Sequence, residues 1–126
     1  MTSDNRNVAR MKVGREEWRR IESRETIFTL RNHEAPHDTV AFIFTDASTG
    51  THLGNAIILS ETTFGSWDYS PCIWGMFAKI TGMTEQELKE RFPVEAKAED
   101  PSQFRMYLYE IKPASDSELL RRLCEE

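Results

Sequence analysis

VAFIFTDASTGTHLGNAIILS, residues 40–60, holds two apolar runs around a polar turn. Val40, Phe42 and Phe44 alternate with Ala41, Ile43 and Thr45, the two-residue period of a strand whose successive side chains point to opposite faces. Asp46-Ala-Ser-Thr-Gly50 has the Asp, Ser and Gly chemistry of a tight connection, where short polar side chains bond their own backbone and glycine relaxes the dihedral limits. Leu53 to Ser60 then resumes a β-rich apolar run. The stretch therefore predicts a hairpin that anchors the core.

Working outward toward the N-terminus, Thr26 to Asn32 mixes β-branched and aromatic residues and predicts another strand. Thr26, Phe28 and Leu30 would take one side of it, and Ile27, Thr29 and Arg31 the other. Asn32 to Asp38, with Pro36, supplies a loop. Before the strand, REEWRRIES (15–23) sets Trp18 and Ile21 three apart among charges, the pattern of a short amphipathic helix.

Beyond the hairpin, residues 61–70 are polar and aromatic without a clear period and predict a loop. Pro71 is placed to open a helix through Ile80, with Ile73, Phe77 and Ile80 at helical spacing and Gly82 to end it. Thr84 to Glu87 has capping-box spacing for a second helix, in which Leu88 and Phe92 sit four apart before Pro93 stops the run. Residues 94–103 predict a loop. From Phe104 to Lys112 the chain alternates again, Phe104, Met106 and Leu108 against Arg105, Tyr107, Tyr109 and Ile111. Ser115 to Glu118 caps a terminal helix over 115–125 that carries Leu119, Leu120 and Leu123. The order helix, three strands, two helices, strand, helix favours an α+β domain with a small, mostly antiparallel, barrel-like sheet flanked by short helices.

The 126 residues suit one domain spanning 1–126, able to bury a core without disulfide or metal support. No apolar run nears the roughly 20 residues of a membrane span. The polar first residues hold no apolar signal core, so no membrane partner and a cytoplasmic location are expected. Cys72 and Cys124 lie far apart with no CxxC and read as buried or partly buried thiols. A net charge of −5 argues against coating nucleic acid by bulk electrostatics, so any such contact must be local. Arg15, Arg19, Arg20 and Arg24 are interleaved with Glu16, Glu17 and Glu22, the pattern of a solvated helix face. After Arg31 no Lys or Arg appears until Lys79, which makes Arg31 an isolated cation, suited either to gripping a phosphate or base edge or to a structural salt bridge with an acid such as Glu110.

Pro36 breaks the helical spacing of His33 and His37, and His52 is distant, so no metal site is expected. No glycine-rich dinucleotide or phosphate loop and no GxSxG elbow appears, so no cofactor is implied. Trp67 and Tyr69 lie in the aromatic loop, where flat rings can stack on an unpaired base; Trp74, at a helical apolar position, reads as core. Tyr107 and Tyr109 share a face with Arg105, which suits either a stacking platform or a half-exposed sheet face.

Four strings resemble the ASCH domain, a small β-barrel family of the PUA-like fold associated with RNA. They are Arg19 to Glu25 at the end of the first helix, Thr26 to Arg31, Ile80 to Lys89 and Met106 to Lys112. The resemblance implies a cleft between barrel and helices, with Arg31 as the arginine that closes the strand. It also implies binding of RNA or a modified nucleoside at Arg31, Thr26, Thr29 and Thr81, to which the aromatic loop adds Trp67 and Tyr69 as stacking candidates. Members similar to the bacterial amidohydrolases that deacetylate a modified cytidine use Lys, Thr and Glu. Here Thr26 stands at the Lys position, Thr29 at the Thr position and Thr81 at the Glu position. A hydroxyl replaces neither an amine as charge nor a carboxylate as proton acceptor, so the leading expectation is binding rather than deacylation. The alternative is a hydrolase acting on a modified nucleoside, with Thr29 and Glu25 or Glu61 as catalytic groups. A third is an interaction module or weak homodimer through the C-terminal helix.

Overall fold

In the computed structural model, which describes residues 7–97 and 100–124, ten regular elements follow one another. They are β1 (Asn7–Val13), α1 (Arg15–Glu22), β2 (Phe28–Arg31), β3 (Thr39–Asp46), β4 (His52–Phe64), α2 (Ile73–Thr81), α3 (Glu85–Arg91), α4 (Pro93–Ala96), β5 (Met106–Ala114) and α5 (Asp116–Cys124). Short 3-10 turns lie at Ser66–Asp68 and Pro101–Gln103. The strand order is β1-β3-β4-β5-β2. β3·β4 and β2·β5 pair antiparallel and β1·β3 parallel. The α+β class and the mostly antiparallel sheet are as the sequence predicts, and among the described residues β1 and β2 are the two end strands of the order.

Several elements depart from expectation, each for a physical reason. β1 was not foreseen, because Arg10 and Lys12 occupy alternate positions and mask the buried Met11 and Val13 between them. β4 runs on through Glu61, Thr62 and Thr63 to Phe64, since ladder hydrogen bonds come from the backbone and tolerate exposed polar side chains; Glu61 therefore sits on a strand, not in a loop. α2 starts at Ile73 and leaves Pro71 in the preceding turn. Pro93, expected as a stop, also opens α4, where its missing N–H costs nothing in the first turn. β5 is buried on both faces, so Tyr107 and Tyr109 form neither a stacking platform nor a half-exposed face. Both thiols, Cys72 and Cys124, are exposed rather than buried. Among the described residues no helix is long and apolar enough to cross a membrane.

The chain gathers into two compact units. Of the described residues, the first draws on 7–25, 35–59 and 111–124 and contains β1, β3, α1, α5, the start of β4 and the end of β5. In it Trp18 and Ile21, three apart on α1, are buried, and the Trp18 indole packs on Phe44 with ring centroids 5.3 Å apart. Leu119 of α5 is buried while Leu120 is 63% exposed, so the leucine stripe is only partly covered within this unit.

Asp46 closes β3 and is buried; its carboxylate accepts from Arg15 Nε at 2.5 Å and from the Ser48 amide at 2.8 Å. The Ser48 amide first, then the Arg15 guanidinium, holds this carboxyl below the ordinary aspartate range. A depressed folded pKa contributes stability that is complete above the unfolded value and is lost as pH falls through the folded one. Urea midpoints should therefore fall on acidification below the ordinary aspartate range, and in Asp46→Asn that part of the acid limb should flatten. Parallel acid limbs for the two proteins would remove Asp46 from the pH response.

The second unit comprises residues 26–34 and 60–110. α2 packs against α3 and β2, and the core gathers Leu30, Trp74, Phe77, Leu88, Phe104 and Leu108, with Ile73, Phe92 and Met106. The capping box forms as read: Thr84 Oγ1 accepts from the Glu87 amide at 3.1 Å, and Glu87 Oε1 from the Thr84 amide at 3.0 Å. Gly82, at φ 78°, ends α2 in the left-handed region where a Cβ is strained.

Candidate functional site

β2 is the element on which the sequence places its candidate cleft. Phe28 and Leu30 turn to the core cluster, so by strand alternation Thr29 and Arg31 occupy the other face. There they stand opposite Tyr109 and Tyr107 of β5. Thr29 and both tyrosines are buried, and Arg31, which ends the strand, is half-buried. Glu110, the neighbour of Tyr109 on β5, pairs in register with Phe28 and accepts from Ser60 Oγ at 3.2 Å.

Thr26 and Thr81, 55 residues apart in sequence, meet. Thr26 Oγ1 donates to the Thr81 carbonyl at 3.1 Å, and Thr81 Oγ1 donates to the Phe77 carbonyl at 2.8 Å. Thr81 Oγ1 also accepts from the Met83 amide at 3.3 Å. Both side chains are buried; the Thr26 hydroxyl ties the segment that leads into β2 to the end of α2, and the Thr81 hydroxyl bonds within α2.

The aromatic pair diverges. Trp67 is 99% exposed on its 3-10 turn, whereas Tyr69 lies edge-on to Phe104 with centroids 5.1 Å apart and joins the core. Glu25 is exposed, accepts from Ser23 Oγ at 3.0 Å and lies 3.8 Å from Arg19 Nη1. Glu61 is exposed on β4.

A second constellation, in the first unit, was missed. The buried Asn55 of β4 donates through Nδ2 to Asp116 Oδ1 at 2.6 Å, while its Oδ1 faces His52 Nε2 at 3.1 Å. A carboxylate only accepts, which fixes the amide orientation; the imidazole must then carry its proton on Nε2, leaving Nδ1 of the neutral ring as an acceptor. From sequence His52 was weighed only as a metal ligand. The available signal was a lone amide inside the apolar run Leu53–Leu59.

No family model and no curated protein matches the chain by sequence. Solved structures do match. ASCH from Zymomonas mobilis superposes at a TM-score of 0.62 with 12% identity, over 97% of this chain and 83% of that one. The hypothetical protein PH0355 gives 0.55 at 12% identity, over 86% of this chain and 100% of that one. Protein EF3133 from Enterococcus faecalis V583 gives 0.51 at 11% identity, over 86% and 80%. At such identities the likeness is one of backbone architecture, and it agrees with the resemblance read from the four sequence strings: the chain has the ASCH fold.

Proposed function

We propose that the chain binds RNA, or a modified nucleobase within it, through the Arg31 face of β2, and does not hydrolyse what it binds. One observation carries the reading: Thr26 and Thr81, at the positions where deacylating relatives place an amine and a carboxylate, spend their hydroxyl protons on main-chain carbonyls. Neither can take a proton from water near neutral pH. Arg31 shares a strand face with Thr29 and carries a guanidinium whose planar fork suits a phosphate or a base edge. Trp67 adds an exposed ring for stacking on an unpaired base. A cytoplasmic setting belongs to the same reading.

The test is titration of a labelled RNA panel at moderate salt. Arg31→Ala should weaken binding by about 1–3 kcal/mol while the melting temperature holds. A net charge of −5 confines phosphate contact to a few residues, so the salt slope should be shallow. Equal affinity of variant and wild type, or no binding by either, rejects the Arg31 face. Enzyme-like release of acetate from N4-acetylcytidine rejects the non-hydrolytic half of the proposal.

A further inference from the structure

We propose that His52, Asn55 and Asp116 form a binding site for a small ligand that presents clustered N–H donors, as a guanidinium or the amino edge of a nucleobase does. Asn55 is only 3% exposed and is followed on β4 by the buried Ala56 and Ile57. A buried amide costs free energy unless both its ends are bonded. Here both ends are bonded, and to groups that reach outward: the amide holds an exposed imidazole in one tautomer and a carboxylate at the start of α5 in one place. Both partners lie at the surface, not in the core, so the amide orders two polar groups that solvent or a ligand can reach.

The three residues line two cavities, of about 510 Å³ and about 420 Å³. The larger is also lined by Glu22 and Trp18, and among the described residues no Lys or Arg lines it. Its wall therefore offers acceptors: Nδ1 of the His52 ring in its Nε2–H tautomer, the Asp116 oxygen not engaged by Asn55, and the Glu22 carboxylate. No partner of Glu22 is found among the described residues. Arg10 lines only the smaller cavity; in the larger one, acceptors unmatched by a lining cation select a ligand rich in N–H groups, and a planar fork of such groups engages a carboxylate through two bonds at once. The apolar flank of Trp18, Leu53 and Pro113 suits a flat group. Neither Arg31 nor any other residue of the RNA-binding proposal takes part, so the two ideas stand or fall separately.

The experiment uses the full, isotope-labelled chain. First, imidazole nitrogen shifts of neutral His52 should report the Nε2–H tautomer; an Nδ1–H ring would overturn the site. Second, agmatine and guanosine are titrated separately while the His52 ring and the Asn55 side-chain amide are followed. At least one should produce saturable shifts, agmatine alone identifying a guanidinium and guanosine a base edge. His52→Ala and Glu22→Gln, both exposed and harmless to the fold, should each raise the apparent Kd about tenfold; Arg31→Ala should leave it unchanged. No saturable shift with either probe, or shifts at Asn55 that persist at the same Kd in His52→Ala, overturns the proposal.

Discussion

Gly54→Ala is expected to cost the protein about 3 kcal/mol or more, an unusual loss for the addition of one methyl group. The Trp18 indole lies directly on the Gly54 backbone, and a Cβ built there would overlap two carbons of its six-membered ring. The ring has no inexpensive retreat, because Trp18 is buried and already packed on Phe44. Either β4 bends away from α1 or the indole leaves its site, and both expose apolar surface. Urea denaturation should show the drop in midpoint. In a Trp18→Leu background, where the ring is gone, the same glycine substitution should be almost free; equal losses in both backgrounds would place the cost in the backbone instead.

Phe77→Ala should lose about 3–5 kcal/mol, the range for removing a large aromatic side chain from a core that cannot fully collapse. Phe77 is 0% exposed and meets Phe64 at 5.2 Å and Trp74 at 5.7 Å, both edge-to-face. Truncation strips the buried ring and both aromatic pairings at once. Chemical denaturation measures the loss, and near-ultraviolet circular dichroism should lose the signal of an ordered Trp74. A loss below about 1 kcal/mol would mean that the neighbours close the gap, contrary to the dense aromatic packing of the second unit.

What the sequence discloses about this fold depends on how each segment earns its place. Thr84 with Glu87, the alternation from Val40 to Thr45, and Trp18 with Ile21 act through local spacing, and each appears in the structure where it was read. β1 escaped because its evidence is its partner: Asn7–Val13 becomes a strand by lying parallel to β3, some 32 residues away, and its own charges mimic a loop. The polar end of β4 escaped for the same reason. At the candidate cleft, the shared face of Thr29 and Arg31 follows from strand alternation and was legible. The Thr26–Thr81 bond follows only from the packing of α2 on β2, and the His52–Asn55–Asp116 chain joins residues 61 positions apart through a single amide. Short polar side chains leave no periodic trace, so spacing cannot announce them.

β1 has one further consequence. As an outer strand of the sheet it presents a row of backbone donors and acceptors that another extended chain could extend, the usual route by which sheet proteins aggregate. Arg10 and Lys12 stand exposed at alternate positions along that row, with Met11 and Val13 turned inward. Any strand added there would have to lie against two cations in succession, and β2 at the opposite margin is only four residues long and ends in Arg31. The charges that hid β1 among loop-like residues are the same ones that keep its open side closed to intermolecular pairing.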